Sequence, residues 1–221
     1  QQLEPEKVLN MGADVTFIFG GNGYSGTFNL DFYRTNFSNK IIPDYDSNPS
    51  EVIFANLDGK AFSNVMQAEV SLTLLRNIEF KIAYKYIELK YDKNGVRYDQ
   101  PFNPKHRVLT TFSYTPANKS WGLSAGLNWF GKQRLPSTAS NPVQYQLPSE
   151  SKPYTLVNAQ INKNFKFFEL YAGVENLLNF KQENPIISAD DPFGPYFDSS
   201  FIWGPTKGRE VYAGFRFILG K

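Results

Sequence analysis

The chain has 221 residues, 16% of them aromatic, with 16 glycines and no cysteine. That composition fits many strands joined by turns, and it excludes disulfide-stapled mini-domains, thiol catalysis and thiolate metal sites. A net charge of +2 is too small to argue for nucleic acid or an acidic substrate.

No run of about eighteen apolar residues occurs, which excludes a transmembrane helix but not a membrane β-barrel, whose strands are half polar. The polar start, Gln1 to Glu6, carries no signal-peptide pattern, so any export signal is expected to have been removed.

Period-two alternation predicts nine strands. The first, Val8 to Phe19, sets Leu9, Met11, Val15 and Phe17 against Asn10, Asp14 and Thr16. A second runs from Tyr24 to Phe37, and a third is expected from near Val52 to Leu75 with a bulge at Asp58 and Gly59. The fourth, Ile78 to Tyr91, changes phase at Ile87, which suggests a bulge or an exit from the apolar layer. Four more centre on His106 to Thr115, Trp121 to Trp129, Val157 to Ile161 and Phe168 to Glu175. The last, Arg209 to Lys221, has a face of Val211, Ala213, Phe215, Phe217 and Leu219 opposite Tyr212, Gly214 and Arg216.

Alternation alone does not say which solvent the apolar face meets, since a soluble sandwich alternates too. The connections decide it. Gly20 to Gly23, Arg76 and Asn77, Pro116 to Lys119, and Asn164 and Phe165 read as tight hairpins. Between them fall long, polar connections at Ser38 to Glu51, Asp92 to Lys105, Lys132 to Lys152 and Leu178 to Gly208.

Strict alternation of short and long connections is the plan of an outer-membrane barrel, and a sandwich has no reason to gather its long loops at one end. Mixed charges on the polar face, among them Asp31, Glu69, Lys81, Arg107, Glu169 and Arg216, suit a hydrated lumen. Phe17, Phe19, Trp121, Trp129, Phe130, Tyr154 and Phe167 gather toward strand ends, as interfacial girdles require. The fold expected is therefore all-β, an antiparallel transmembrane β-barrel portion. Nine strands put the two chain ends on opposite sides of a membrane and leave two edges unpaired, so residues 1–221 are expected to be the C-terminal part of a larger barrel.

Several blocks resemble successive segments of TonB-dependent outer-membrane receptors. They are Leu3 to Glu6, Phe32 to Phe37 with Ile41 and Ile42, Phe54 to Asn56, and Pro101 to Arg107. Gly173 to Asn179 resembles their penultimate-strand motif, and Gly204, Pro205 and Gly208 to Arg216 their closing strand. The resemblance implies a barrel of roughly 22 strands around a plug. It also implies energised uptake of a scarce nutrient, such as an iron chelate, haem, cobalamin, a metal or an oligomer, driven by TonB, ExbB and ExbD through the plug. Plug and N-terminal strands have no counterpart in this chain. A passive channel or structural barrel completed by another chain is the alternative, and a soluble β-sandwich binding module comes third.

Tyr212, Gly214, Phe217 and Leu219 match the spacing of a C-terminal signal read by the barrel-assembly machinery, although Gly220 and Lys221 end the chain where an aromatic residue is usual. A good lipid-facing strand is the plainer reading. Tyr145, Phe193, Tyr196, Phe197 and Trp203 are candidate extracellular ligand-loop contacts, and they could equally pack as folded loops or dock a surface lipoprotein.

Asp190, Asp191 and Asp198 lack the spacing of a cation site, and His106, the sole histidine, makes no haem or zinc site. No metal, cofactor or catalytic group is therefore expected. Enzyme chemistry ranks low, because any triad would have to use His106 and no Gly-x-Ser-x-Gly turn is present.

Overall fold

A computed structural model describes residues 3–45 and 52–217. It is one antiparallel meander, in which nine long strands pair in chain order. They are β1 (Lys7–Gly21), β2 (Tyr24–Ser38), β5 (Ala61–Leu74), β6 (Ile78–Lys93), β8 (His106–Tyr114), β9 (Trp121–Phe130), β10 (Tyr154–Asn164), β11 (Phe168–Glu175) and β12 (Glu210–Phe217). Short strands β3 (Ile41–Asp44), β4 (Ile53–Asn56) and β7 (Val96–Asp99) lie in the long connections, as does a single 3-10 turn at Val143–Tyr145. Among the described residues β1 pairs only with β2 and β12 only with β11, so the sheet does not close on itself.

Nine strands and the alternation of connections agree with the sequence, but three local expectations do not. Ile53–Asn56 is not the start of a long third strand. It pairs with Ile41–Asp44 as a separate hairpin, and Asp58 and Gly59 form the bend leading into β5 rather than a bulge. Ile42 and Leu57 of that region bury themselves against Ala61 and Tyr91, a gain in apolar burial that extending the main sheet would forgo. The hairpin before β11 also falls later than Asn164 and Phe165. Phe165 N–H donates to Phe168 O (2.8 Å), which leaves Lys166 and Phe167 as the turn.

The third correction concerns Phe130 and Tyr154. They share the polar face with Arg107 and stack on each other at 4.8 Å, so they are not girdle residues. At Ile87 no bulge occurs. Pairing with β5 runs unbroken to Tyr91, while β8 ends at Tyr86↔His106 and β7 takes over at Lys90.

The two faces differ as period two demands. Outward on β5 come Leu74, Leu72, Val70, Ala68 and Met66, and large side chains there stay exposed, Met66 at 48% and Ile161 of β10 at 52%. Aromatic residues bound this band at both ends. Toward the short turns Tyr114 meets Trp121 (5.2 Å) and Phe165 stacks on Phe168 (4.5 Å). Toward the long loops Tyr84 Oη and His106 Nδ1 share a 2.7 Å hydrogen bond, with Tyr86 at 5.2 Å from the imidazole ring. Eight residue steps along β8 separate Tyr114 from His106, about 20 Å of height at ~3.3 Å per residue and a tilt of ~40°. That matches the thickness of an apolar band in a barrel wall.

Cross-strand joints hold the opposite face tight. Tyr33 lies over Gly12, Tyr212 over Gly173 and Tyr171 over Gly214, each a directly paired couple. A Cβ on Gly12 would come 2.2 Å from the Tyr33 ring and 2.8 Å from the Phe32 carbonyl oxygen, which cannot move without breaking the ladder. At Gly126 the nearest atom would be 3.9 Å away. Gly12→Ala should therefore lower stability by about 1–3 kcal/mol, and Gly126→Ala should leave it nearly unchanged. Urea unfolding of the intact barrel in bilayers measures both.

Candidate functional site: the hollow face and its loop layer

Register brings polar residues from strands distant in sequence into rows on the hollow face. One row runs Ser25, Thr73, Glu79, Ser113, Ser124, Gln160, Gly173 and Tyr212. Glu69 and Lys81 form an ion pair (2.9 Å), Glu79 accepts from Ser113 Oγ (3.2 Å), and Tyr212 Oη donates to Gln160 Oε1 (2.9 Å). Arg216 pairs with Glu169 across β11 and β12 (2.9 Å). These residues floor a trough of about 570 Å³ that includes Ser71, Thr73, Lys81 and Asn158. Hydroxyls, amides and paired charges give a surface that water or polar protein can wet, as the mixed-charge pattern leads one to expect.

Above the trough the long connections are folded. The second half of the chain keeps most of its buried residues here: Leu135, Pro136, Ile187 and Phe201, with Gln133, Thr138, Ser151 and Gln182. Gln182 is the clasp. Its Nε2 donates to Phe201 O (2.6 Å), and its Oε1 accepts from Trp203 N–H (2.7 Å) and Gly204 N–H (2.9 Å). Gln133 Nε2 donates to Trp203 O (2.9 Å), joining the loop 131–153 to the loop 176–209.

An aromatic stack, Phe130, Tyr154 and Phe180 with Trp203 against the last two, seats this layer on the sheet. Asn176, at φ 49°, locks the turn after β11 by donating to Phe180 O (2.7 Å) and accepting from Phe180 N–H (3.0 Å). Asn179 accepts from Arg209 N–H (2.9 Å). The penultimate-strand motif is thus a strand end followed by an Asn-locked turn.

The candidate contact residues divide accordingly. Trp203 is half-buried and anchors the loop, whereas Tyr145 stacks on Tyr196 (5.6 Å), bringing the two loop tips together. Phe193 is fully exposed and Phe197 largely so. Of the acidic residues, Asp198 Oδ1 accepts from Ser200 N–H (2.7 Å) and the Asp191 carbonyl from Gly194 N–H (3.0 Å), so both serve loop turns. No metal-holding group of three or more His, Asp or Glu exists among the described residues.

Of the assembly-signal residues, Tyr212 and Gly214 sit in the joints with β11, Phe217 points outward, and Leu219 lies outside the described residues. Sequence reasoning missed Gln133, Gln182 and Asn176. The two glutamines stand in loops with no periodicity to mark them as buried.

Beside the clasp, Lys152 and Glu183 form an exposed ion pair (2.8 Å), in which the Lys152 hydrogen bond holds the Glu183 carboxyl below its usual range. A depressed carboxyl stabilises only above its unfolded value of about 4.3 and loses that contribution as pH falls through the folded value. Both partners are exposed, so the contribution is small. Gln182→Ala should cost about 2–4 kcal/mol of loop stability by orphaning buried donors and an acceptor, and should open residues 176–209 to protease. Glu183→Gln should not, and limited proteolysis at neutral pH distinguishes them.

Residues 1–177 match the family described as TonB dependent receptor-like, beta-barrel. No curated protein sequence matches the chain. Among solved structures, FpvA of Pseudomonas aeruginosa bound to heterologous pyoverdines superposes with a TM-score of 0.67 at 17% identity, covering 98% of this chain and 28% of that one. The ferric-catecholate import receptor Fiu of E. coli K12 gives 0.64 at 13% identity, covering 98% and 28%. The copper transporter OprC gives 0.65 at 16%, covering 98% and 32%. At such identities these likenesses show the fold alone, and the chain spans about a third or less of each of those proteins. The wall geometry and the family match lead to one assignment: the chain belongs to the β-barrel family of TonB-dependent receptors, transport proteins of the Gram-negative outer membrane.

Proposed function

We propose that this chain is the C-terminal portion of the barrel wall of a receptor for energised uptake. A scarce nutrient, such as an iron chelate, haem, cobalamin, a metal or an oligomer, binds at the long-loop end. TonB, ExbB and ExbD then act on a plug that rests against the hollow face. The observation that carries this is the pairing of a wettable inner wall with a folded, aromatic-tipped loop layer at one end of it. Ferric catecholate import by Fiu, copper transport by OprC and pyoverdine binding by FpvA support the cargo class. The edges of β1 and β12 supply unpaired backbone for the remaining strands. Tyr145, Phe193, Tyr196 and Phe197 provide the contact surface for ligand or a surface lipoprotein. Catalysis has no part in this reading.

In cells expressing the intact receptor, uptake of radioactive iron supplied as catecholate and hydroxamate chelates, of cobalamin and of copper separates the readings. Energised import predicts that at least one probe accumulates and that deleting TonB abolishes its accumulation. Accumulation of every probe regardless of TonB would establish a passive channel instead.

In the same reading the barrel-assembly machinery reads Tyr212, Gly214, Phe217 and Leu219. Phe217→Ala should slow appearance of heat-modifiable barrel in cells while leaving refolding of the purified protein into bilayers unchanged. Equal slowing in both would reduce Phe217 to a packing residue.

A further inference from the structure

The outward face changes character above the apolar band. Beyond Met66 of β5 and Tyr86 of β6 the outward positions are Asn64, Glu88 and Lys90, joined on β2 by Arg34 and Asn36. Arg34 donates to Asn36 (3.0 Å) and Asn64 (2.9 Å) with its guanidinium 4.0 Å over the Phe62 ring, and Asn64 donates to Glu88 (2.8 Å). Lys90 pairs with Glu88 (2.8 Å) and lies opposite Asp99, which holds Lys105 (2.7 Å). A polar strip therefore runs sideways along the lipid-side surface, level with and just above the Tyr84, Tyr86 and His106 girdle. Two residue steps on a tilted strand raise it about 5 Å above the last apolar row, which is headgroup height.

The strip ends in a pocket of about 420 Å³. Its floor is Trp129 and His106, and its walls carry three cations, Lys105, Lys132 and Arg134, against the carboxylates of Asp99 and Glu150. Trp129 faces outward from β9, so the pocket opens on the membrane side of the wall and not into the lumen. Lys132 is 63% exposed and its contact with Glu150 is long at 3.4 Å, so it can turn toward another anion at little cost. Basic side chains gathered over an interfacial tryptophan, at the height where lipid phosphates lie, match a phosphate-bearing headgroup in charge and in position. A soluble nutrient entering through the lumen would not reach this face.

We infer that this pocket binds the phosphorylated headgroup of an outer-leaflet glycolipid, with Lys105, Lys132 and Arg134 toward the phosphate and Trp129 against the sugar or acyl root. The inference rests on the outer-membrane placement of the wall and not on which nutrient it admits.

Native mass spectrometry of the intact receptor, titrated in detergent with bisphosphorylated lipid A, tests it. Lys132→Glu should weaken binding about fivefold or more and Glu150→Lys should strengthen it, as expected for one charge-assisted contact made or lost. Lys166→Glu, the same charge change beside the short-turn girdle, should have no effect. Heat-modifiable mobility confirms that each variant is folded. Unchanged binding in Lys132→Glu, or equal loss in Lys132→Glu and Lys166→Glu, would overturn the assignment. So would complete displacement of the lipid by millimolar inorganic phosphate, which would make the pocket a site for free anions.

Discussion

Every backbone N–H and C=O of a spanning segment must find its partner within the protein, because the hydrocarbon offers none and each orphan costs several kcal/mol. The rest of this structure depends on that constraint. It forces the nine long strands into a continuous antiparallel ladder in chain order, and the pleat then separates side chains into two faces with no freedom left over. A slip of one residue would turn Glu69 and Lys81 into lipid and Val70 into the lumen. The joints of Tyr33 on Gly12 and Tyr212 on Gly173 oppose such a slip, since each ring fits only over the glycine directly across from it.

From this separation the division of labour follows. One face meets lipid and needs only apolar bulk, which is why Met66 and Ile161 remain exposed without a protein partner. The other carries paired charges and amides that tolerate water or a polar plug. Burial in the usual sense moves out of the sheet and into the long connections, where Gln182, Leu135, Pro136 and Phe201 make a small core of their own. The wall is rigid because of its ladder, and the loop layer because of that core. Specificity in a receptor of this kind therefore belongs to the loops, while the wall supplies a fixed frame.

Much of this was legible in the sequence because period two survives translation into structure almost unchanged. Strand number, the two faces and the alternation of short and long connections all come from local pattern. What failed was non-local. Ile53–Asn56 alternates as well as any wall strand, and nothing local says that its partner is Ile41–Asp44. Phe130 was grouped with Trp129 by aromatic type, yet adjacent residues on a strand face opposite ways, so parity already assigned it to the hollow side. Gln182 and Gln133 left no trace, since a polar residue in an aperiodic loop looks solvated until three backbone groups converge on it.

The central claim is that the odd-numbered face of β12 and its equivalents along the wall contact lipid while the alternate residues contact water. This segment contains no cysteine, so single cysteines can be placed along β5 and β8 of the intact receptor, spin-labelled in bilayers, and probed with lipid-soluble oxygen and a water-soluble nickel chelate. The account predicts that oxygen accessibility peaks at positions 66, 68, 70 and 72 of β5 and at 108, 110 and 112 of β8, with the intervening positions low. Nickel accessibility at those outward positions, or loss of the two-residue period, would contradict it.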